Sequence, residues 1–258
     1  MNCIFICLFN NPNYINMLYI LLDSIHSYGS INNNKNVDTE ILIYTSSKFM
    51  NMIKQSPFYK ALFKIICFEI NDNYNTVETA CKSRLDLFNL ASVTKYSKFL
   101  YLDTDIVVKG DLNIVFNLCT KDKLYALEEG FIDSDTDFWG KTLFENAKDL
   151  HLYTNNFTAF SSGILLFNNC DKMKQLFTII QLDFKKRPFH FYCHDQPYII
   201  YNAFKYGLYD NQVLKDVVVN NDHDYGSNKI IHHFPGDPGI HKDKLKFMFA
   251  FLTGLKSK

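Results

Sequence analysis

The sequence has no excess of charge of either sign. Its 258 residues include 27 lysines and arginines and 27 aspartates and glutamates, so the formal net charge is zero. A nucleic-acid-binding domain ordinarily carries a basic patch that neutralises phosphates. We therefore expect no nucleic-acid partner, and local features must hold any anionic ligand.

Long apolar runs and paired cysteine motifs are also missing. No stretch approaches the roughly 18 apolar residues that a membrane-spanning helix needs, so we expect no transmembrane segment. The first residues carry no basic region, which argues against a signal peptide. The seven cysteines include no Cys-x-x-Cys pair. This pattern favours reduced thiols and a cytoplasmic protein.

Repeats, flexible linkers and low-complexity tails do not occur, which favours one domain spanning 1–258. The first hundred residues alternate between apolar strand-like runs and segments with helical spacing. The predicted strands are 3–9, 40–44, 64–70 and 99–102, and the predicted helices are 14–28, 47–55 (capped by Ser46 or Ser47) and 79–93. This alternation predicts an α/β fold with a mostly parallel central sheet.

The second half has a less regular pattern. We predict strands at 124–127, 160–167 (entered through a turn), 213–219 and 229–234, and helices at 171–184 and from His194-Asp195-Gln196-Pro197 onward. A loop-and-helix insertion is predicted at 133–156 and a basic amphipathic segment at 241–255. In the first half, a polar loop is predicted at 32–36. Ligands of such sheets bind beyond the carboxyl ends of the strands. The polar residues that follow the predicted strands are therefore candidates for the site.

Asp103-Thr104-Asp105 follows the most apolar of these strands, Phe99-Leu100-Tyr101-Leu102. Burying two carboxylates there is costly unless a cation or hydrogen-bond donors neutralise them. Residues two apart on a strand point to the same side. Asp103 and Asp105 could therefore bind a hard divalent metal, and the metal could bind a diphosphate. The alternative is a turn whose acids cap a helix.

Two acidic patterns in the sequence also fit other kinds of site. The run Asp133-Ser134-Asp135-Thr136-Asp137 resembles a calcium loop, but the positions that need glycine and glutamate hold Phe138 and Phe144, so we interpret it as solvated surface. The order Asp-x-Asp after a strand also fits a haloacid-dehalogenase phosphatase, in which the first aspartate is the nucleophile. That motif normally lies on the first strand, whereas three predicted strands precede Asp103. A non-catalytic sugar-nucleotide binder is a further alternative.

Two more features bear on the site. His232 and His233 end a predicted strand beside Gly236 and Gly239, and an imidazole next to open backbone N–H groups suits a metal and a phosphate. Strand alternation places the two histidines on opposite faces, so only one can bind a given ion. Arg84 lies in the helix predicted before the central strand and is a candidate site residue. The alternative is that it is a charged side chain on the protein surface, which is the more frequent case for a single arginine.

The order of these motifs resembles that of the family 8 glycosyltransferases. The resemblance covers nearly the whole chain and rests on six short motifs, each weak alone: Asn10-Asn11-Pro12-Asn13-Tyr14, Lys82-Ser83-Arg84-Leu85, Tyr101-Leu102-Asp103-Thr104-Asp105, Phe160-Ser161-Ser162-Gly163-Ile164, His194-Asp195-Gln196 and His233-Phe234-Pro235-Gly236. It implies a GT-A fold, a Rossmann-like nucleotide-binding α/β architecture. It also implies transfer of a hexose (glucose or galactose) from a UDP-sugar to a protein, glycan or lipid acceptor, with retention at the anomeric carbon.

The resemblance also implies roles for individual residues. Asp103, Asp105 and His233 would bind Mn²⁺ or Mg²⁺, and Asp195, Gln196 and Glu129 would lie at the reacting sugars. The implied contacts to the nucleotide sugar come from Asn10, Asn11, Tyr14 (stacking on uracil), Arg84, Asp103, Thr104, Asp105, Ser161, Gly236 and Lys242. A homodimer is left open.

The sequence departs from the family pattern in three places, one of which is the absence of the family's Lys-Pro-Trp ending. Ser161 stands where the family usually has asparagine. Gly239 occupies the place of a lysine that usually follows the histidine-glycine motif, and Lys242 is the nearest substitute.

Overall fold

The structure is a computed structural model that describes residues 1–31, 38–62, 64–134, 137–152, 158–186, 194–220, 226–236 and 241–257. The predicted loop at 32–36, residues 135–136 of the acidic run and Gly239 lie outside the described residues. The described strands are β1 (Asn2–Leu8), β2 (Thr39–Thr45), β3 (Ile66–Ile70), β4 (Lys98–Leu102), β5 (Ile106–Val108), β6 (Leu124–Phe131), β7 (Thr158–Asn168), β8 (Tyr209–Asp210), β9 (Val218–Asn220) and β10 (Ile231–His233). The described helices are α1 (Asn13–Tyr28), α2 (Ser47–Gln55), α3 (Pro57–Leu62), α4 (Val77–Cys81), α5 (Leu112–Asn117), α6 (Lys141–Asn146), α7 (Asp171–Lys186), α8 (Gln196–Lys205) and α9 (His241–Lys256).

Seven of the strands form a central sheet in the order β3-β2-β1-β4-β7-β6-β8. β3, β2, β1 and β4 run parallel, as do β6 and β8. β7 is antiparallel to both of its neighbours, β4 and β6. The prediction of an α/β fold with a mostly parallel sheet is confirmed.

The sheet is buried on both faces, because its strands alternate between two apolar clusters. In β1, Ile4, Ile6 and Leu8 face the cluster that includes α1 and α2. Cys3 and Phe5 face the other cluster, to which α7 and α8 contribute. Period-two alternation between two apolar layers explains why these strands read as continuous hydrophobic runs.

A second, three-stranded sheet follows the order β5-β10-β9. β10 is antiparallel to β5 and parallel to β9, and His233 is opposite Ile106 on one side and Asn220 on the other. β5 follows β4 after three residues, Asp103-Thr104-Asp105. The Asp-x-Asp segment is therefore the link between the two sheets.

α9 packs over this small sheet. Met248, Phe251 and Leu252 of the helix form an apolar cluster with Val107 and Phe234, and with side chains of α1. The predicted amphipathic segment at the end of the chain is confirmed as a helix. Its apolar face docks on the strands that carry the histidine.

The predicted long helix at 79–93 is wrong. α4 ends at Cys81, and 3₁₀ turns cover Lys82–Asn89 and Ala91–Lys95. In the first of these turns the Ser83 hydroxyl donates to the Ala80 carbonyl at 2.6 Å, and Arg84 is held by buried ion pairs. The ion pairs of Arg84 are tertiary contacts, and they override a helical preference that is worth only a fraction of a kcal/mol per residue (about 0.5).

The predicted strand at 213–219 is also wrong in its first half. Residues Val213–Asp216 form a 3₁₀ turn, and only Val218–Asn220 is a strand. The Asp210 carboxylate accepts hydrogen bonds from the backbone N–H groups of Gln212 and Val213, at 3.1 and 3.2 Å. An aspartate that bonds the backbone two and three residues ahead stabilises a turn in place of an extended strand.

Two other boundaries differ from the prediction. β6 continues to Phe131, so Glu128 and Glu129 lie inside the strand. Ser161 and Gly163, predicted to form a turn, are part of the continuous strand β7. The register between β6 and β7 shifts at this point, with Ala126 opposite Leu165 but Leu127 opposite Ser161. A bulge of this kind bends the strand and changes the direction of its side chains. A sequence with turn-forming residues can therefore belong to a bulged strand.

Two predicted helix starts are confirmed. The Ser46 hydroxyl accepts a hydrogen bond from the Phe49 N–H at 3.3 Å and caps α2. Pro197 occupies the first turn of α8, where its missing N–H has no partner to lose.

Among the described residues, none of the helices has the length and apolar content to cross a membrane.

Candidate active site

Three potential metal ligands meet where the two sheets join. The ligand atoms of Asp103, Asp105 and His233 lie within 4.8 Å of one another. The backbone brings them together: the Phe234 N–H donates to the Asp105 carbonyl at 2.9 Å, and the Asp103 N–H donates to the Gly163 carbonyl at 2.8 Å. The Asp-x-Asp link is thus fixed to the histidine strand on one side and to β7 on the other.

His233 is oriented by a partner on β9. Its Nδ1 lies 2.9 Å from Asn220 Oδ1. An amide oxygen accepts, so the tautomer of His233 that donates from Nδ1 to Asn220 leaves the Nε2 lone pair available to a cation. Nε2 faces Asp105 Oδ1 at 3.4 Å. His232 points the other way and lies against the Phe251 ring of α9, with ring centroids 4.5 Å apart. The predicted alternation of the two histidines is confirmed.

The site has the room and the unpaired atoms that a cation requires. Asp105 Oδ1 is buried and has no hydrogen-bond partner. A Cβ atom on Gly163 would lie 2.5 Å from His233 Cε1, 2.7 Å from its Nε2 and 3.1 Å from Asp103 Oδ2. Only glycine leaves this space open. Two carboxylates and one imidazole form a donor set that fits a divalent metal, with the nitrogen ligand favouring Mn²⁺ over Mg²⁺.

Asp105 divides its two oxygens between two neighbours. Oδ1 faces His233, whereas Oδ2 accepts a hydrogen bond from Lys244 Nζ at 2.6 Å. Burial alone would raise the pKa of Asp105, but the His233 ring and the Lys244 ammonium outweigh it and hold the pKa below its usual range. Asp105 is therefore ready to bind a cation without first losing a proton.

Asp103 is held by a ring hydroxyl and a guanidinium. Its Oδ1 accepts a short hydrogen bond from the Tyr101 hydroxyl and lies 3.5 Å from Arg84 Nη1. Burial raises the pKa of Asp103 against the opposing effect of Arg84, and the adjacent Asp105 carboxylate adds to the rise. A bound cation would remove the cost of ionising both acids at once.

Arg84 links the Asp-x-Asp segment to the start of α8. Its Nε lies 2.9 Å from Asp195 Oδ2, and its Nη1 donates to the Ser162 carbonyl at 2.7 Å. The guanidinium carbon lies 4.7 Å from the centre of the Tyr101 ring. Burial opposes the charge of Arg84, but Asp103 and Asp195 together keep its pKa well above the ordinary value. The alternative of a surface cation is excluded by this geometry.

Asp195 is almost completely buried at the first turn of α8. The Arg84 Nε–H donates a hydrogen bond to the Cys81 carbonyl. Asp195 Oδ2 therefore lies close to the positive charge of Arg84 but accepts no hydrogen bond from it. Burial raises the pKa of Asp195 to about 6, although Arg84 opposes the rise. Asp195 is thus an acid poised near neutral pH, which is common at reacting centres.

The Gln196 side chain hydrogen-bonds to the neighbouring strand, β7. Its Oε1 accepts hydrogen bonds from the N–H and the hydroxyl of Ser162, at 2.9 and 3.2 Å, and its Nε2 donates to the Phe138 carbonyl at 3.3 Å. The sequence pointed to Ser161, which is buried in β7. It is Ser162 that connects α8 and Arg84 to this strand.

The predicted nucleotide residues Asn10, Asn11 and Tyr14 follow β1 in the chain. Asn11 Oδ1 accepts a hydrogen bond at 2.9 Å from the N–H of Asn13, the first residue of α1. The Asn10 amide lies against the backbone of Asn75 and Val77. Burial raises the pKa of Tyr14, and the negative charges of Asp105 and Asp103 raise it further. Thr104 is buried between them.

Two predicted site residues, Glu129 and Gly236, form no hydrogen bond or ion pair with this cluster among the described residues. Glu129 is half-buried on β6 and Gly236 follows β10. Lys242 belongs to α9, but its side chain is outside the described part of the structure. Residues that the sequence argument missed are Tyr101, Ser162, Asn220 and Lys244. Tyr101 and Ser162 lay inside quoted motifs, whereas Asn220 and Lys244 gave no sequence signal.

Solved structures of glycosyltransferases share this arrangement of sheets. The galactosyltransferase LgtC, solved with donor and acceptor sugar analogues, superposes with a TM-score of 0.64 at 14% identity, covering 98% of this chain and 96% of that one. Mouse xyloside xylosyltransferase 1 gives 0.61 at 11% identity, over 93% and 99%. The bifunctional glycosyltransferase WbbM gives 0.61 at 15% identity, and the present chain spans about half (51%) of its length. The fold is the GT-A fold.

Residues 6–209 match Glycosyl transferase family 8, and the chain belongs to that family. No curated protein matches the chain at the level of sequence. The family match ends before His233 and Lys244, so their place in the site rests on the geometry above. These comparisons give the haloacid-dehalogenase alternative no support.

Proposed function

We propose that this glycosyltransferase moves a hexose, glucose or galactose, from a UDP-sugar to an acceptor, with retention at the anomeric carbon and with Mn²⁺ (or Mg²⁺) as cofactor. The observation that carries the proposal is the convergence of Asp103, Asp105 and His233 at the junction of the two sheets. Cleaving the bond between sugar and phosphate leaves negative charge on UDP, which a bound divalent cation stabilises.

The surrounding residues have separate tasks in this proposal. Tyr14 and the polar residues Asn10 and Asn11 contact the nucleoside at the end of β1. Arg84, fixed by two carboxylates, orients the donor sugar and the Asp195 carboxylate. Asp195, with its carboxylate ionised, stabilises positive charge that develops on the sugar ring as the leaving group departs. Gln196 and Glu129 are proposed near the donor sugar and the acceptor.

The acceptor class and the setting belong to the same proposal. The acceptor is a protein, a glycan or a lipid, and the chain acts as one domain, with a homodimer as the alternative to the monomer. A reducing, cytoplasmic setting is supported by the cysteines: no disulfide joins any of the six in the described ranges.

The experiment is a paired titration of Mn²⁺ and UDP by calorimetry. Asp103→Asn and Asp105→Asn keep the size of each side chain and remove the charge, so Mn²⁺-dependent UDP binding should fall by at least about 100-fold while both variants remain folded at room temperature. His233→Ala should do the same. His232→Ala is the matched control, because this ring packs on Phe251; it should lower stability and leave binding unchanged.

Unchanged UDP and Mn²⁺ affinities in both aspartate variants would show that the metal site is assigned to the wrong residues. A binding loss in His232→Ala together with normal binding in His233→Ala would reverse the assignment of the two histidines.

A further inference from the structure

Lys244 places a fixed positive charge on one of the proposed metal ligands. It lies in the first half of α9, and its Nζ donates to Asp105 Oδ2 at 2.6 Å. The side chain is 5% exposed, so the contact is not a solvated surface pair. The packing of α9 on Val107 and Phe234 holds the lysine in place.

Lys244 and a divalent cation would share the same carboxylate. Asp105 Oδ1 is buried without a hydrogen-bond partner and faces His233 Nε2, so this oxygen is free to bind a metal while Oδ2 keeps its lysine. The two oxygens of a carboxylate are only about 2 Å apart, and two positive charges within a few ångströms of each other repel in a site of low dielectric constant. Lys244 therefore opposes the cation when the cation binds alone.

A diphosphate changes this balance. Among the side chains that the structure describes, the acidic ones of the site are Asp103, Asp105 and Asp195, and the basic ones are Arg84 and Lys244. With all five ionised, the site has a net charge of minus one. A divalent cation alone brings it to plus one, and the negative diphosphate then offsets that excess. Without Lys244 the site would begin at minus two, and the cation alone would neutralise it.

We propose that Lys244 couples the two binding events: it disfavours the divalent cation by itself and favours the cation together with a nucleoside diphosphate. This inference rests on the proposed function. It makes Lys244 a residue that sets the order and cooperativity of binding, so that the cation is retained when the nucleotide is present.

The test compares Lys244→Met and Lys244→Gln with the wild type. Mn²⁺ is titrated alone, with free Mn²⁺ followed by electron paramagnetic resonance, and UDP is titrated by calorimetry at saturating Mn²⁺. Both variants should bind Mn²⁺ alone about tenfold or more tightly, and both should bind UDP about tenfold or more weakly. The cooperativity factor, which is the ratio of the Mn²⁺ dissociation constant without UDP to that at saturating UDP, should fall by about tenfold or more.

Two further variants serve as controls. Lys246→Met removes an exposed lysine on the same helix and should change neither affinity. Lys244→Arg keeps the charge and should retain most of the cooperativity. Lys244→Gln keeps a hydrogen-bond donor for Asp105, so it separates the charge of the lysine from its contribution to the position of the carboxylate.

Opposite shifts of the two affinities support the inference. It is overturned if both variants bind Mn²⁺ alone more weakly, since Lys244 would then only position Asp105, or if neither affinity changes. A wild type that binds neither Mn²⁺ nor UDP would refute the proposed function itself. A wild type that binds both, with unaltered Lys244 variants, would refute only the coupling.

Discussion

Replacing Gly163 with alanine should disable the metal site while leaving the fold in place. A Cβ at this position would lie 2.5 Å from His233 Cε1 and 2.7 Å from Nε2. Comfortable carbon–carbon contacts begin near 3.5 Å, so the ring must retreat by about 1 Å. The ring is almost fully buried and hydrogen-bonded to Asn220, and its backbone is paired on both sides. It has little freedom to retreat and remain a ligand.

The expected magnitude follows from the geometry of metal coordination. Ligand distances at a metal tolerate only about 0.2 Å of error, so a displacement of about 1 Å removes His233 from the ligand set. We expect the Mn²⁺ affinity to fall by about 100-fold or more. Overpacking of this kind costs about 1–3 kcal/mol of folding free energy, which lowers the melting temperature by several degrees without unfolding the protein at room temperature.

Mn²⁺ titration and scanning calorimetry measure the two effects, and Gly110→Ala is the matched control. A Cβ on Gly110 would lie 3.4 Å from the Ile230 side chain, an ordinary contact, so this variant should bind Mn²⁺ normally. The stability penalty of Gly163→Ala should shrink when His233→Ala removes the ring that it strikes. Mn²⁺ binding by Gly163→Ala within about threefold of the wild type would refute the reasoning.

Two other predictions follow from the residues around the ligands. The pKa of Asp195 is raised to about 6 in the folded protein, so its protonated form stabilises the fold below about pH 4 and this stabilisation is lost as the pH rises through 6. Relative to Asp195→Asn in EDTA, the free energy of unfolding of the wild type should fall by about 3 kcal/mol from pH 4 to pH 7, and a flat difference in chemical denaturation would contradict the burial argument. Asn220→Ala should weaken Mn²⁺ binding about 10- to 100-fold because His233 loses the acceptor that fixes its tautomer, whereas Asn220→Asp should retain binding. An unaffected Asn220→Ala in the Mn²⁺ titration would show that the ring needs no such partner.

The features that could be predicted correctly from the sequence depend on residues that are close together in the chain. Apolar runs in strands such as β1 and β4 can only be buried, and Asp103 and Asp105 follow one of them, so their placement at a strand end was readable from the chain. The alternation of His232 and His233 was likewise a property of one strand. Each of these expectations involves residues that are neighbours in sequence.

The missed features depend on contacts between distant segments. Lys244 meets Asp105 only because α9 docks on the small sheet, and no periodicity near residue 244 specifies that docking. Asn220 reaches His233 through the pairing of β9 with β10. The 3₁₀ turn around Arg84 replaces the predicted helix because buried partners elsewhere in the chain hold this side chain.

The most direct test of the central claim is release of UDP from a panel of UDP-sugars in the presence of Mn²⁺. The wild type should release UDP from UDP-glucose or UDP-galactose, slowly with water alone and faster with an acceptor. EDTA and Asp103→Asn should each abolish the release. Binding of UDP without turnover of any donor would make the protein a non-catalytic binder. Hydrolysis of simple phosphomonoesters that Asp103→Asn abolishes would contradict the account and point to a phosphatase.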